Sequence, residues 1–178
     1  MHIICFCIFT FFDMGGVNSP SVEFAIMSIL MAWIPGLIGA LALSSSRTRK
    51  QYNTTNQAPW APPAWVFGPV WALLYTSMGF AYWILRDHQH VWTDSIAASV
   101  VYYVLLVSLA PWTWWFFRWQ LYEVAALNIG ICTCLSIAVC VLFWLENFIA
   151  GALVTPLPIW LLFASSLNLY VVVSHGDQ

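Results

Sequence analysis

The sequence predicts an all-α integral membrane protein, built as a bundle of five transmembrane helices. Of the 178 residues, 62% are hydrophobic and 7% are charged, whereas soluble domains are about 25% charged. The charged residues separate apolar runs of about 20 residues, the length that a helix needs to cross about 30 Å of hydrocarbon. We expect helices because these runs are too long for barrel strands, and lipid leaves backbone groups no other partners.

Five apolar runs predict the helices of a transmembrane domain that covers residues 24–178. In chain order the predicted spans are residues 24–43, 65–85, 95–117, 124–145 and 150–173. Charged side chains are costly at hydrocarbon depth, so they mark the ends of spans. The charged residues at these ends are Glu23, Arg86, Asp87, Asp94, Arg118, Glu123 and Glu146.

Residues 1–23 are predicted to form an N-terminal extension outside the bundle. Their apolar run from Ile3 to Phe12 is too short to span the membrane, and Asp13 closes it. The run also lacks the basic flank and the small-residue cleavage site of a signal peptide. The sequence assigns this extension no role.

The distribution of Lys and Arg predicts the orientation. Arg47, Arg49, Lys50 and Arg118 fall on one side of a five-span chain together with the C-terminus, and Arg86 falls on the other side. Because cytosolic loops carry an excess of basic residues, we expect the first loop and the C-terminus to be cytosolic.

Several classes of function are not indicated by the sequence. It contains no phosphate-binding glycine loop, no nucleophile elbow, no paired acids within a span and no basic nucleic-acid patch. Cys132, Cys134 and Cys140 lie in the middle of a predicted helix, where a thiol packs as a small apolar group. We therefore expect neither acid–base or hydrolytic catalysis, nor nucleic-acid binding, nor a metal site.

Aromatic side chains are the main functional signal. Trp71, Tyr75, Met78 and Tyr82 follow one another at intervals of four, three and four residues, so they form one stripe along a helix. Six of the 12 tryptophans lie close to span ends, as in an interfacial belt: Trp65, Trp83, Trp92, Trp114, Trp119 and Trp144. Trp71 and Trp160 instead lie one to two turns inside their spans. Inward-facing tryptophans would give a flat aromatic or sterol-like ligand broad apolar walls.

Two amides lie at hydrocarbon depth. Asn128 and Asn168 would face the bundle interior, either to contact a ligand or to hydrogen-bond a neighbouring helix. Gly36 and Ala40 form a small-xxx-small pair, which permits close helix packing within one chain or between two. The sequence leaves these alternatives open.

One block carries a family resemblance. From Ala58 to Trp83 the chain reads APWAPPAWVFGPVWALLYTSMGFAYW, a proline-tryptophan loop that leads into an aromatic span. This block resembles the translocator protein family, also called the tryptophan-rich sensory protein or peripheral-type benzodiazepine receptor family. Further matches are Trp112 with Phe116 and Phe117, and Pro156, Trp160, Phe163, Ala164, Leu167 and Asn168.

The chain also departs from the family pattern. The family's loop Lys-Pro is replaced by Gln57-Ala58, and the asparagine before the third-span tryptophan is replaced by Leu109. The fourth-span position at which some members carry aspartate corresponds to Asn128. The family's sterol motif is incomplete, because no Lys or Arg follows Tyr170.

The resemblance implies a five-helix bundle, often a homodimer, with a cavity beneath the first cytosolic loop. It implies that this cavity binds tetrapyrroles, namely protoporphyrin IX and haem, and synthetic benzodiazepine-site ligands, with no obligatory cofactor. Carried over residue by residue, the implied ligand-binding residues are Trp60, Phe67, Trp71, Tyr75, Trp112, Asn128, Trp160, Ala164 and Leu167.

Three functions are compatible with this resemblance. The first is a membrane receptor or carrier for porphyrins that buffers them or moves them passively. The second is a light-dependent porphyrin-degrading activity, for which Trp71 and Trp160 are the candidate catalytic residues. The third is a structural or interaction subunit, or a sterol-binding protein. The expected partners are membrane lipid, porphyrin, sterol and a second copy of the chain. The sequence does not distinguish a bacterial envelope from a mitochondrial outer membrane or a secretory membrane.

Overall fold

The computed structural model describes residues 22–43, 57–87 and 96–176, and these residues form helices and no strand. Residues 1–21 of the predicted extension and the first-loop residues Arg47, Arg49 and Lys50 lie outside the described residues, whereas Val22 and Glu23 belong to the first helix. The extension and the orientation therefore stay predictions. In chain order the elements are α1 (Val22–Leu43), α2 (Ala64–Asp87), α3 (Ile96–Leu109), a π-helical segment (Trp114–Arg118), α4 (Tyr122–Glu146), α5 (Phe148–Val154) and α6 (Pro156–Gly176).

The five predicted spans are confirmed within the described residues. The apolar helices long enough to cross a membrane are Val22–Leu43, Ala64–Arg86, Ile96–Arg118, Tyr122–Glu146 and Phe148–Ser174. All of their bounds lie within two residues of the prediction. The protein is therefore an integral, multi-pass membrane protein of the all-α class.

The third span is not one continuous helix, in contrast to the prediction. The α3 helix ends at Leu109, and Pro111 follows, which has no N–H to donate to the preceding turn. The chain then turns into the π-helical segment, where the Trp119 N–H bonds the carbonyl of Trp114 five residues back, at 2.9 Å. Gln120 ends this segment with a left-handed φ of 55°.

The fifth span consists of two helices. Asn147 caps α5, since its side chain accepts hydrogen bonds from the N–H groups of Ile149 at 2.9 Å and Ala150 at 3.0 Å. The α5 helix ends at Val154, and α6 begins at Pro156 after a single residue. A proline is tolerated at the first position of a helix because the N–H there has no partner within the helix.

The helices pack as a bundle in which α1 lies along α2, α4 contacts α3 and α6, and α5 contacts α2 and α4. Helices α1 and α2 approach most closely at Gly79, where an added Cβ would lie 2.5 Å from the Cα of Ile29. One end of the bundle is filled by stacked aromatic rings. There the ring centroids of Tyr82 and Tyr102 are 4.7 Å apart, and the Tyr102 hydroxyl donates to the Met78 carbonyl at 3.3 Å.

The aromatic stripe of α2 faces the bundle interior. Tyr75, Met78 and Tyr82 are buried, and Trp71 is half-buried. Large apolar side chains on the opposite faces are exposed, as expected for a surface in contact with lipid tails. The helical spacing in the sequence therefore predicts which side of α2 turns inward.

Candidate functional site

A cavity of about 530 Å³ occupies the end of the bundle opposite the stacked tyrosines. Its walls come from the C-terminal half of α1, the N-terminal half of α2, the end of the third span, the start of α4 and the C-terminal half of α6. This volume lies within the range of about 300–1,000 Å³ that is typical of small-molecule sites.

The structure brings seven of the nine predicted ligand-binding residues together in the wall of this cavity. They are Phe67, Trp71, Tyr75, Trp112, Asn128, Ala164 and Leu167. These residues belong to four different helical spans, so the fold, not the local sequence, assembles them.

Trp60 and Trp160 are not among the residues that line the cavity. Trp60 is 53% exposed and packs edge-on against Tyr170, with the ring centroids 5.4 Å apart. Trp160 packs edge-on against Phe67, with the ring centroids 5.7 Å apart. A ligand in the cavity would therefore contact Phe67, and Trp160 would contribute by packing against Phe67.

The aromatic wall has two parts. On the side of α1 and α2, Trp71 stacks on Tyr75 with ring centroids 5.3 Å apart, and Trp33 lies 6.4 Å from the Tyr75 ring. On the side of the third span, Trp112 stacks on Phe116 with centroids 5.4 Å apart. Broad, flat ring faces of this kind suit a ligand that is itself flat and apolar.

Phe116 and Phe117 both line the cavity, although they are adjacent in sequence. Adjacent residues of a regular α-helix point about 100° apart, whereas the π-helical segment has more residues per turn and brings them closer to one direction. The sequence indicates Phe116 and Phe117 only through the family resemblance. Pro111 was the signal that the helix would change its geometry here.

The two buried amides both connect helices. The Asn128 Nδ2 donates to the Ser108 carbonyl at 3.1 Å, and its Oδ1 accepts a long 3.9 Å contact from the Cys132 Sγ. The Asn168 Oδ1 accepts from the Trp112 Nε1 at 3.3 Å. Both amides also lie on the cavity wall. The helix-linking alternative is therefore observed for both, and a ligand contact stays a prediction.

The α1 helix contributes more to the cavity than the sequence analysis predicted. An added Cβ at Gly36 would lie 2.6 Å from the Cε2 of Tyr75, and one at Gly39 would lie 2.8 Å from the Oγ1 of Thr113. The sequence analysis treated Gly36 only as a packing residue. In the structure both glycines line the cavity and leave room for the side chains of α2 and the third span.

The described residues that line the cavity include no Asp, Glu, Lys, Arg or His. The polar groups on the wall come from amides, hydroxyls, one thiol and indole N–H groups: Gln57, Tyr75, Thr113, Asn128, Cys132, Asn168, Trp33, Trp71 and Trp112. Such a wall can hold a ligand by stacking and by neutral hydrogen bonds.

Comparison with known proteins identifies the family. A family model described as the TspO/MBR family matches residues 24–173. The chain belongs to the TspO/MBR family. The match extends from α1 to α6 and includes every element of the cavity wall.

Named relatives of the TspO/MBR family come from distant organisms. The translocator protein homolog of Schizosaccharomyces pombe is 30% identical over 138 residues, which are 76% of this chain and 84% of the relative. The tryptophan-rich protein TspO of Archaeoglobus fulgidus is 27% identical over 156 residues, or 85% and 96% of the two chains. The translocator protein of Homo sapiens is 27% identical over 119 residues, or 66% and 70%.

Proposed function

We propose that this protein is a membrane receptor or carrier that binds tetrapyrroles, such as protoporphyrin IX and haem, and other flat hydrophobic ligands, benzodiazepine-site compounds among them. The cavity with aromatic rings on two sides is the observation that carries this proposal. Its wall includes seven of the nine residues that the resemblance to the translocator protein family implies for ligand binding.

The aromatic wall explains why such a ligand would leave the bilayer. A porphyrin dissolved in lipid gains little from apolar burial, because lipid tails are as apolar as the protein interior. Ring contacts contribute about 0.5–1.5 kcal/mol each beyond burial. Several such contacts, from Trp71, Trp112 and Phe116, would favour the cavity over the bilayer.

The neutral wall favours passive binding over ion-coupled transport. Proton and ion relays in membrane proteins use ionisable side chains that face a water-filled path. No Asp, Glu, Lys, Arg or His occurs among the described residues that line the cavity. We therefore propose that the protein buffers its ligand or moves it down a gradient.

Quenching of tryptophan fluorescence by protoporphyrin IX tests the proposal. The purified protein is titrated in detergent and in the dark, and a soluble tryptophan derivative in the same micelles serves as the control. Because Trp71 and Trp112 line the cavity, we expect saturable quenching with one porphyrin per chain. Quenching that rises without saturation, as for the control, would show that porphyrin only partitions into the micelle.

A second candidate function is light-dependent degradation of the bound porphyrin. It is favoured by Trp71, which lines the cavity and stacks on Tyr75, so that the indole would contact the porphyrin and could exchange an electron with its excited state. Trp160 does not line the cavity and packs edge-on against Phe67.

The two tryptophans should therefore differ under illumination. We expect Trp71→Phe to slow the light-dependent loss of the porphyrin Soret band more strongly than Trp160→Phe. The matched control is Trp65→Phe, since Trp65 is 75% exposed and does not line the cavity. Equal rates in all three variants and the wild type would indicate ordinary photobleaching.

A further inference from the structure

Two hydroxyl groups on the cavity wall have no hydrogen-bond partner within the described residues. Tyr75 is 6% exposed, and the structure contains no hydrogen bond from its hydroxyl to any described residue. Thr113 precedes the π-helical segment, but its side chain makes no capping hydrogen bond. Both residues line the cavity.

The two hydroxyl-bearing side chains lie on the same side of the cavity. Tyr75 packs against Gly36 and Thr113 packs against Gly39, as shown by the short distances to an added Cβ. Gly36 and Gly39 are three residues apart on α1, which corresponds to about 4.5 Å along the helix axis. Tyr75 and Thr113 are therefore neighbours along α1, although they belong to different spans.

The two buried amides on the cavity wall are already engaged in hydrogen bonds. Asn168 accepts from Trp112 at 3.3 Å and donates to the Ala164 carbonyl at 2.9 Å. Asn128 donates to Ser108 at 3.1 Å. An unpartnered hydroxyl away from water is unfavourable, so the hydroxyls of the buried Tyr75 and the half-buried Thr113 should bind either a ligand or water.

We propose that Tyr75 and Thr113 form a hydrogen-bonding pair that receives a neutral oxygen acceptor of the ligand, such as the carbonyl of an ester, ketone or amide. This inference rests on the proposed function, because it concerns a flat apolar ligand in the same cavity. Each hydroxyl would donate to the acceptor oxygen. A carboxylate at this position would be a buried charge beside a wall that has no cationic side chain among its described residues.

Two uncharged porphyrins separate hydrogen bonding by Tyr75 and Thr113 from general affinity of the cavity for the porphyrin macrocycle. Protoporphyrin IX dimethyl ester carries ester carbonyls, whereas etioporphyrin carries only alkyl groups on the same macrocycle. Both are titrated in the dark against the wild type and against the Tyr75→Phe and Thr113→Val variants, which remove one hydroxyl each and keep the shape. Tyr170→Phe is the control, since Tyr170 does not line the cavity.

We expect the wild type to bind the dimethyl ester about tenfold more tightly than etioporphyrin, because two hydrogen bonds each contribute modestly. Each variant should lose about three- to tenfold in affinity for the ester and clearly less for etioporphyrin, which has no acceptor oxygen. Saturable binding of etioporphyrin also shows that the variants are folded.

Two results would overturn the pair. Equal affinity of the wild type for both porphyrins would mean that the two hydroxyls bind water and not the ligand. The proposed function, porphyrin binding, would not be affected by that result. If the variants lose the same affinity for both porphyrins, Tyr75 and Thr113 contribute only packing. If neither porphyrin binds to the wild type, the proposed function fails together with the pair.

Discussion

At the scale of single residues, the site depends on polar side chains that serve the fold and the cavity together. Asn128 is 8% exposed and reaches from α4 to the carbonyl of Ser108 in the last turn of α3. Carbonyls in a last turn have no partner within their own helix. No water is present in the hydrocarbon core to bond such a carbonyl. The Asn128 amide therefore supplies a hydrogen bond that the Ser108 carbonyl would otherwise lack.

Asn128→Leu should destabilise the bundle by about 1–2 kcal/mol, because it leaves the Ser108 carbonyl without this donor. The free energy of unfolding in detergent, followed by far-UV circular dichroism, measures the effect. Leu127→Ala is the matched control, since Leu127 is 68% exposed on the same helix and should change little. An Asn128 variant as stable as the control would show that the hydrogen bond adds nothing.

The residues of the site were predictable where helical spacing decides the direction of a side chain. Trp71 and Tyr75 lie four residues apart on one helix face, and both line the cavity. Trp160 has a similar depth in its span, but it packs behind Phe67. The depth of a residue in its span does not determine the direction in which its side chain points. That direction depends on how the helices pack in the folded bundle.

At the scale of helices, glycines set how closely neighbouring spans approach. Gly79 on α2 lies against the backbone of Ile29 on α1, which is part of a helix and cannot rotate away as a side chain can. Gly130 on α4 has no neighbouring atom within 4 Å of an added Cβ. The same substitution should therefore have opposite effects at the two positions.

Gly79→Ala should destabilise the protein by about 1–3 kcal/mol by forcing α1 and α2 apart. Gly130→Ala should be neutral or stabilise it by up to about 1 kcal/mol, because alanine is the better helix former and meets no obstacle. Melting temperatures of the two variants in the same detergent compare them directly. A Gly79→Ala variant that is at least as stable as Gly130→Ala would contradict the close contact.

The existence of the helices was predictable, but their interruptions were not. Hydropathy and length reveal a span because lipid excludes charge over a fixed thickness. The end of α3 before Pro111 and the π-helical segment after it depend on backbone hydrogen bonds that hydropathy does not describe. These interruptions bring Thr113, Phe116 and Phe117 to the cavity, so the sequence analysis described that wall incompletely.

At the scale of the whole molecule, five spans leave one end of the bundle densely packed and the other hollow. Tyr82, Tyr102 and Phe143 fill the packed end, where the Tyr102 and Phe143 rings stack at 5.8 Å. The cavity occupies the hollow end, next to the ends of α1 and α2 that the first loop joins. The cytosolic location of that loop and the homodimer stay predictions from the sequence and its family resemblance.

The most direct test of the central claim is to fill the cavity and repeat the dark titration with protoporphyrin IX. Ala164 is buried on the cavity wall, so the Ala164→Phe side chain would occupy the space of the ligand. Ala152→Phe is the matched control, because Ala152 lies exposed on α5. We expect saturable quenching to be lost in Ala164→Phe and kept in Ala152→Phe, with helical far-UV signals unchanged in both. Saturable quenching of equal affinity in Ala164→Phe would show that the porphyrin binds elsewhere.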